Sequence, residues 1–283
     1  MKNSAKINRK FYFSLRIFSY VTTAISLVAL VAIIIYVFVN GIDKLSFSLL
    51  FGDGKTSPSI LPAFIGTLEL VVISMIIAVP LGIGAAIFLT EYANNKGKAV
   101  KIIRIATETL SGIPSIVYGL FGYLIFVVAF NMGYTVLGGG ITLAIMILPV
   151  IVRSTEESLL SVPQGLREGS YALGTGKVRT IFKVVLPACS GGIVTAIILA
   201  VGRVLSESAV LILTVGMVIN KIPASVLSPG TSLALDIYYF ASHGYPDQAA
   251  ATGVILMVLV LIINLAATLI EKAIKKKREK NNG

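Results

Sequence analysis

The chain has 283 residues, 56% of them hydrophobic, and a mean hydropathy of +0.91, values that exclude an ordinary soluble domain and point to a membrane. Its net charge of +11 does not argue for nucleic acid as a partner, because the bases cluster beside apolar runs, where membrane topology and anionic lipid account for them. A single cysteine, Cys189, and a single histidine, His243, exclude an intrachain disulfide framework and a Cys- or His-built metal site.

Six stretches have the length and apolarity to cross a hydrocarbon core as helices, near 17–39, 61–90, 107–130, 136–152, 188–219 and 248–270. The first follows a basic segment in the manner of a secretory signal. It is too long for one and lacks a small-residue cleavage site, so it reads as a retained span. The connection 40–60 is rich in turn formers and reads as an outer loop. Pro80 in the second span and Pro149 near the end of the fourth are candidate kinks. Small residues open the third span, where Gly119 and Gly122 permit close helix approach and Pro114 bends the chain. Loop 220–247 contains LALDIYYFAS from Leu233, a short outer helix that either caps the bundle or receives a partner, capping being the preferred reading.

Orientation follows from the bases. With both termini inside, 20 of the 24 Lys and Arg residues fall in cytoplasmic segments, three (Lys44, Lys55 and Lys221) fall outside, and Arg203 lies within a span. The expected fold class is an all-α membrane protein of six transmembrane helices. Its organisation is an N-terminal tail, first span and outer loop over 1–60, a core over 61–272, and a basic cytoplasmic tail over 273–283 that anchors at membrane lipid.

Two polar features interrupt the apolar pattern. Arg203 and Glu207 sit in the fifth span, where each charge costs roughly 2.5–3.5 kcal/mol at a helix centre and so avoids lipid. Four residues apart, they fall on one helical face, with Ser206 and Ser208 beside them. They form either a structural ion pair or a polar patch on a translocation path, the second reading being preferred. Arg153, at the end of the fourth span, is either a positive-inside anchor or a lower pathway residue. Glu69 and Glu108 are weaker signals, Glu108 reading as an interfacial anchor one turn from Arg104.

The second feature is the polar island Glu168–Pro187, which the charge count places in the cytoplasm. Gly174-Thr175-Gly176-Lys177 imitates a phosphate-binding loop. However, the required first glycine is Tyr171, Val178 replaces the Ser or Thr after the lysine, and no strand precedes. The chain therefore carries no ATPase of its own. The spacing of Glu168, Gly169, Ser170, Gly174, Val184, Leu186 and Pro187 instead resembles the cytoplasmic EAA loop of bacterial ABC importer permeases, whose pattern is E-A-A-x3-G-x9-I-x-L-P. Stretches such as GTLEL from Gly66, FLTEYA from Phe88, SGIPSIVYGLFGY from Ser111 and VRSTEESLLSVPQGLREGSYALG from Val152 are similar to the phosphate-specific permeases. Among those, LREGSYALGTGK and LALDIYYFAS resemble the PstA branch more than PstC. Ser206 departs from the glycine usual between the charged pair.

The resemblance implies a type I importer permease fold with an EAA-type coupling loop at 156–187, in which Glu168, Gly169, Ser170, Gly174, Leu186 and Pro187 meet an ATPase. It also implies a PstC-like sister permease, a PstB-like ATPase dimer that carries ATP and Mg, no cofactor on this chain, and an extracytoplasmic phosphate-binding protein. Arg203, Glu207, Ser206 and Arg153 are then the candidate substrate path. An importer for molybdate, sulfate or phosphonate, or a stand-alone secondary transporter, is the alternative.

Overall fold

A helix that is apolar on every side can bury that surface only in lipid or in a dense bundle. The computed structural model, which describes residues 2–52, 59–93 and 97–282, contains both cases. Lys55 and Lys96 lie outside the described residues, as do the side chains of 2–10 and 273–283 that carry the terminal basic clusters.

In chain order, α1 is Lys2–Ile42 and α2 is the short Phe47–Phe51, while α3, Leu61–Ile87, continues through a π-helical turn, Phe88–Tyr92. Next come α4, Lys98–Ser111, and α5, Ser115–Gly122, which runs into a second π-helical segment, Tyr123–Ala129. The central α6 spans Val136–Leu160, and α7 is Gln164–Ala172. Then α8, Lys177–Thr180, passes through a third π turn, Ile181–Val185, into α9, Leu186–Leu205. The remaining helices are α10, Ala209–Thr214, α11, Leu233–Ser242, and α12, Pro246–Asn282. The described residues are all helix, turn and irregular chain, in agreement with the expected class.

Five helices are long and apolar enough to cross a membrane, and α4 with α5 makes a sixth if that bent pair is one span. The core is built on α6, two-thirds of whose most apolar stretch is buried, with α3 along it and α9 on another side. Its main cluster joins Leu70, Leu143, Ile147, Ile151, Val204 and Leu211. By contrast α1 packs chiefly on α12 and leaves only 6% of its apolar window buried, a lipid-facing signature. Pro80 and Pro149 both lie inside continuous helices.

Several boundaries differ from the sequence reading, and α6 for one runs on to Leu160. The connection at 40–60 is not all loop: α1 persists to Ile42, and Ser46 caps α2 through the N–H of Leu49. The third span does not begin at 107, because α4 and α5 meet at 100° across Gly112–Pro114. Pro114 holds an extended ψ before α5, and the Tyr118 hydroxyl donates to the Leu110 carbonyl at 2.8 Å across the corner. The fifth span is displaced toward the cytoplasm: helix runs from Lys177 to Leu205 and stops where Ser206-Glu207-Ser208 begins.

The outer cap is α11, which buries Leu233, Leu235 and Phe240 against α3 and α12. The N–H of Leu233 donates to Thr67 Oγ1 at 2.9 Å, and a Cβ on Gly66 would strike the Thr231 carbonyl oxygen, so the two backbones touch. Capping is thus what α11 does within this chain. His243 terminates it, with its ring stacked on Tyr239.

Candidate functional site

The cytoplasmic loop is two helices joined at a glycine corner. Pro163 opens α7, which ends at Ala172, and Gly174 takes φ +76°, a left-handed conformation that glycine adopts without a side-chain clash. Glu168 and Gly169 are exposed on α7. Ser170 is buried, and its hydroxyl meets Thr175 Oγ1 at 2.6 Å and Thr180 Oγ1 at 2.9 Å, while these two lie 3.0 Å apart. This hydroxyl triangle braces the corner. Its signal was present in the sequence as Ser, Thr and Thr at intervals of five, where the EAA pattern asks only for a small residue at 170.

Leu186 and Pro187 do not lie in a loop. They form the first turn of α9 within a continuous helix from Lys177. Pro187 has no N–H to return to the Lys183 carbonyl and its ring crowds it, so the helix widens into the π turn Ile181–Val185 just before. Around this turn a small cluster of Ala86, Leu159, Val162, Val185 and Cys189 joins α3, α6 and α9. Facing away from the bundle, Leu166, Tyr171, Leu173, Val178 and Phe182 are exposed, Leu173 at 85%.

One residue of this loop escaped the sequence reading. Arg167 is 12% exposed and Glu91, on the π turn that ends α3, only 6%. The guanidinium donates from Nε (3.1 Å) and Nη2 (2.8 Å) to Glu91 Oε1, from Nη1 to the Val162 carbonyl (2.8 Å) and from Nη2 to the Leu159 carbonyl (2.9 Å). No short-range spacing rule links residues 76 positions apart.

A cavity of about 310 Å³ at the cytoplasmic ends of α4 and α6 is lined by Arg104, Thr107, Glu108, Arg153, Glu156 and Glu157, among others. Arg104 does not pair with Glu108 one turn away. It reaches across to Glu156 at 2.6 Å, and Glu108 is held by Arg153 at 3.3 Å, because α4 lies with its polar face toward α6. Arg153 also bonds Glu157 at 3.1 Å. These Arg153 pairs are more than half exposed and belong to the weak, solvent-screened kind.

The expected pathway residues therefore separate into two groups, since Arg203, Ser206 and Glu207 do not line that cavity. They lie together at the break between α9 and α10. Of the two readings of Arg203 and Glu207, the structural ion pair does not form, because the helix that would align them ends at Leu205. Glu207 Oε1 instead accepts the N–H of Val210 at 3.2 Å and caps α10, and the Ser206 hydroxyl is engaged by the carbonyls of Gly202 and Arg203. Arg203 is half-buried, within electrostatic range of Tyr118, and among the described residues no carboxylate lies within ion-pairing distance of it. Opposite the break, a Cβ on Gly119 would stand 3.0 Å from Val210 Cα, so the close approach read from the sequence joins α5 to α10.

Known proteins are similar to this chain in sequence and in architecture. The chain is similar to the probable ABC transporter permease protein YqgI of Bacillus subtilis, at 36% identity over 91% of this chain and 94% of that protein. It is 35% identical to the phosphate transport system permease protein PstA of Yersinia pestis, over 90% of this chain and 88% of that one. It is 32% identical to PstC 1 of Mycobacterium tuberculosis over 73% and 70%. Among solved structures, a bacterial alginate ABC transporter in complex with alginate pentasaccharide-bound periplasmic protein superposes with TM-score 0.71 at 17% identity, covering 93% of this chain and 96% of that one. The inward-facing MetNI methionine ABC transporter gives TM-score 0.60 at 21% identity, covering 76% and 94%. Residues 78–276 match the family described as the binding-protein-dependent transport system inner membrane component, and this chain, a multi-pass membrane permease subunit of the ABC importer class, belongs to that family.

Proposed function

We propose that the chain is the PstA-type permease of an ATP-driven importer of inorganic phosphate. In that assembly it lies beside a PstC-like permease, receives phosphate from an extracytoplasmic binding protein, and is driven by a PstB-like ATPase dimer that holds ATP and Mg. The near full-length similarity to a phosphate permease of Yersinia pestis supports the substrate class, extending over more of both chains than the PstC match.

The observation that carries the reading is the half-buried Arg203 at the helix break. A guanidinium that donates no hydrogen bond among the described residues offers phosphate a planar, doubly hydrogen-bonding fork. Glu207 and Ser206 shape the break rather than neutralise it. Arg153, tied to two carboxylates, is a weaker candidate for contact with solute.

The exposed apolar tip of the cytoplasmic loop supports attachment to the ATPase. Leu173 and its neighbours are left exposed by the described residues, and an exposed apolar patch on the water side marks a protein contact. Glu168 and Gly169 stand on the same helix. The test is reconstitution of the four-component assembly in proteoliposomes. Phosphate uptake should require ATP and be lost in Arg203→Gln while the ATPase still co-purifies. Normal uptake by that variant, or uptake of sulfate or molybdate in preference to phosphate, would overturn the substrate reading.

A further inference from the structure

The cytoplasmic loop needs a grip on the bundle if force applied to it is to move the spans, and the structure contains one candidate with unusual bonding. We infer that the π turn Phe88–Tyr92 is a strap that transmits movement of the 164–180 hairpin into α3, with Arg167 and Glu91 as its positioning residues. This rests on the reading that the hairpin docks an ATPase.

Three observations carry it. The first is burial: in a hairpin whose surface is mostly exposed, one cation and one anion are taken out of water together. A buried pair is a poor general stabiliser, but breaking it is strongly penalised, so it holds register between the parts it joins. The second is the bonding pattern. All three guanidinium nitrogens are used, and they join α7 to the end of α3, to the Leu159 carbonyl in the last turn of α6 and to the Val162 carbonyl just past it. These two carbonyls lie at the C-terminal end of α6, whose partial negative charge favours a cation.

The third is the adjacent residue. Tyr92 follows Glu91 in the same π turn, and Lys177 of α8 stands with its Nζ 4.8 Å from the Tyr92 ring centroid. The turn therefore holds both arms of the hairpin, α7 through Glu91 and α8 through Tyr92. The N–H of Ala93 closes it on the Phe88 carbonyl at 2.9 Å, and such widened turns recur where a helix re-aims side chains at a functional site. From there α3 runs the length of α6 to Gly66 and Thr67, which bear α11. One rod thus joins the ATPase side to the outer cap.

The experiment uses the full complex with its ATPase, sister permease and binding protein in proteoliposomes, comparing wild type, Glu91→Gln and the double variant Glu91→Gln/Arg167→Gln. The expected result is that the ATPase co-purifies and hydrolyses ATP as in wild type. Phosphate transported per ATP should fall at least about fivefold, with the phosphate concentration for half-maximal uptake unchanged. The inference is overturned if the ratio of transport to hydrolysis stays at the wild-type value, or if both variants lose the ATPase altogether, which would make the pair a folding element. Leu173→Asp separates this from the docking reading: if the ATPase remains bound to that variant at full strength, docking through the hairpin fails, whatever Glu91 does.

Discussion

Glu207 places its carboxylate on the backbone N–H of Val210, 3.2 Å away, and not on Arg203 four residues before it. The carboxylate is thereby a helix cap, and the guanidinium is left to another purpose. Energetic coupling between the two charges should consequently be small. In a double-mutant cycle of Arg203→Gln and Glu207→Gln, stabilities measured by thermal unfolding in detergent should add to within about 0.5 kcal/mol. Glu207→Ala alone should cost about 1 kcal/mol through loss of the cap. A coupling well above that margin would restore the ion pair.

Asp236 supplies a pH dependence. It is fully buried in α11, takes a hydrogen bond from the Thr231 hydroxyl, and has Oδ2 unpartnered. Burial pushes its pKa up to about 7, with the Thr231 bond opposing. The folded protein then binds a proton more tightly than the unfolded chain. Stability is greatest near pH 4, falls as pH rises toward 7, and levels off above, a change of about 4 kcal/mol at most. The unfolding midpoint should decline over that window in wild type and stay level in Asp236→Asn. An equal slope in both would assign the effect elsewhere.

Gly66 is where α3 and the approach to α11 touch, and the atom a Cβ would meet is a backbone carbonyl oxygen, which cannot swing aside. Gly66→Ala should destabilise by about 1–3 kcal/mol, as overpacking does elsewhere. Gly84 faces open space, so Gly84→Ala serves as the control and should leave the unfolding midpoint near wild type or slightly above it.

The corner of the cytoplasmic hairpin is set by Gly174 and braced by Ser170, Thr175 and Thr180. Gly174→Ala forces a side chain into the left-handed region, at about 1–2 kcal/mol, and Ser170→Ala removes the hydroxyl that both threonines share. Both should reduce the amount of ATPase that co-purifies, the glycine variant more. Undiminished recovery with both would show that the corner is not part of the docking surface.

The spans were legible because lipid imposes a length and a composition on each, and the inside loops because bases stay on one side. What failed was local extrapolation. Placing Arg203 and Glu207 on one helical face, and Glu108 as an anchor one turn from Arg104, assumed that residues a turn apart on a helix stay neighbours. In one case the helix ended first, and in the other a second helix offered a better carboxylate. Arg167 with Glu91 failed for the opposite reason, since proximity made by tertiary folding leaves no mark in sequence spacing. The glycines at 119 and 122 succeeded because both sit where a Cβ would meet a neighbouring helix, Gly119 against the Val210 backbone and Gly122 against the Thr142 and Thr214 side chains.

The position of α1 has a consequence for how the protein is made. Its main berth is α12, to which it is tied by Gly41 against Ala250 and Val254 and by Lys44 to Asp247, 203 residues apart. During synthesis α1 precedes α12 and must wait in the bilayer, without that berth, while every span between them is inserted. Lipid alone keeps it in place for that interval. Its even apolar surface suits that wait, so a span made early is among the last to be moored.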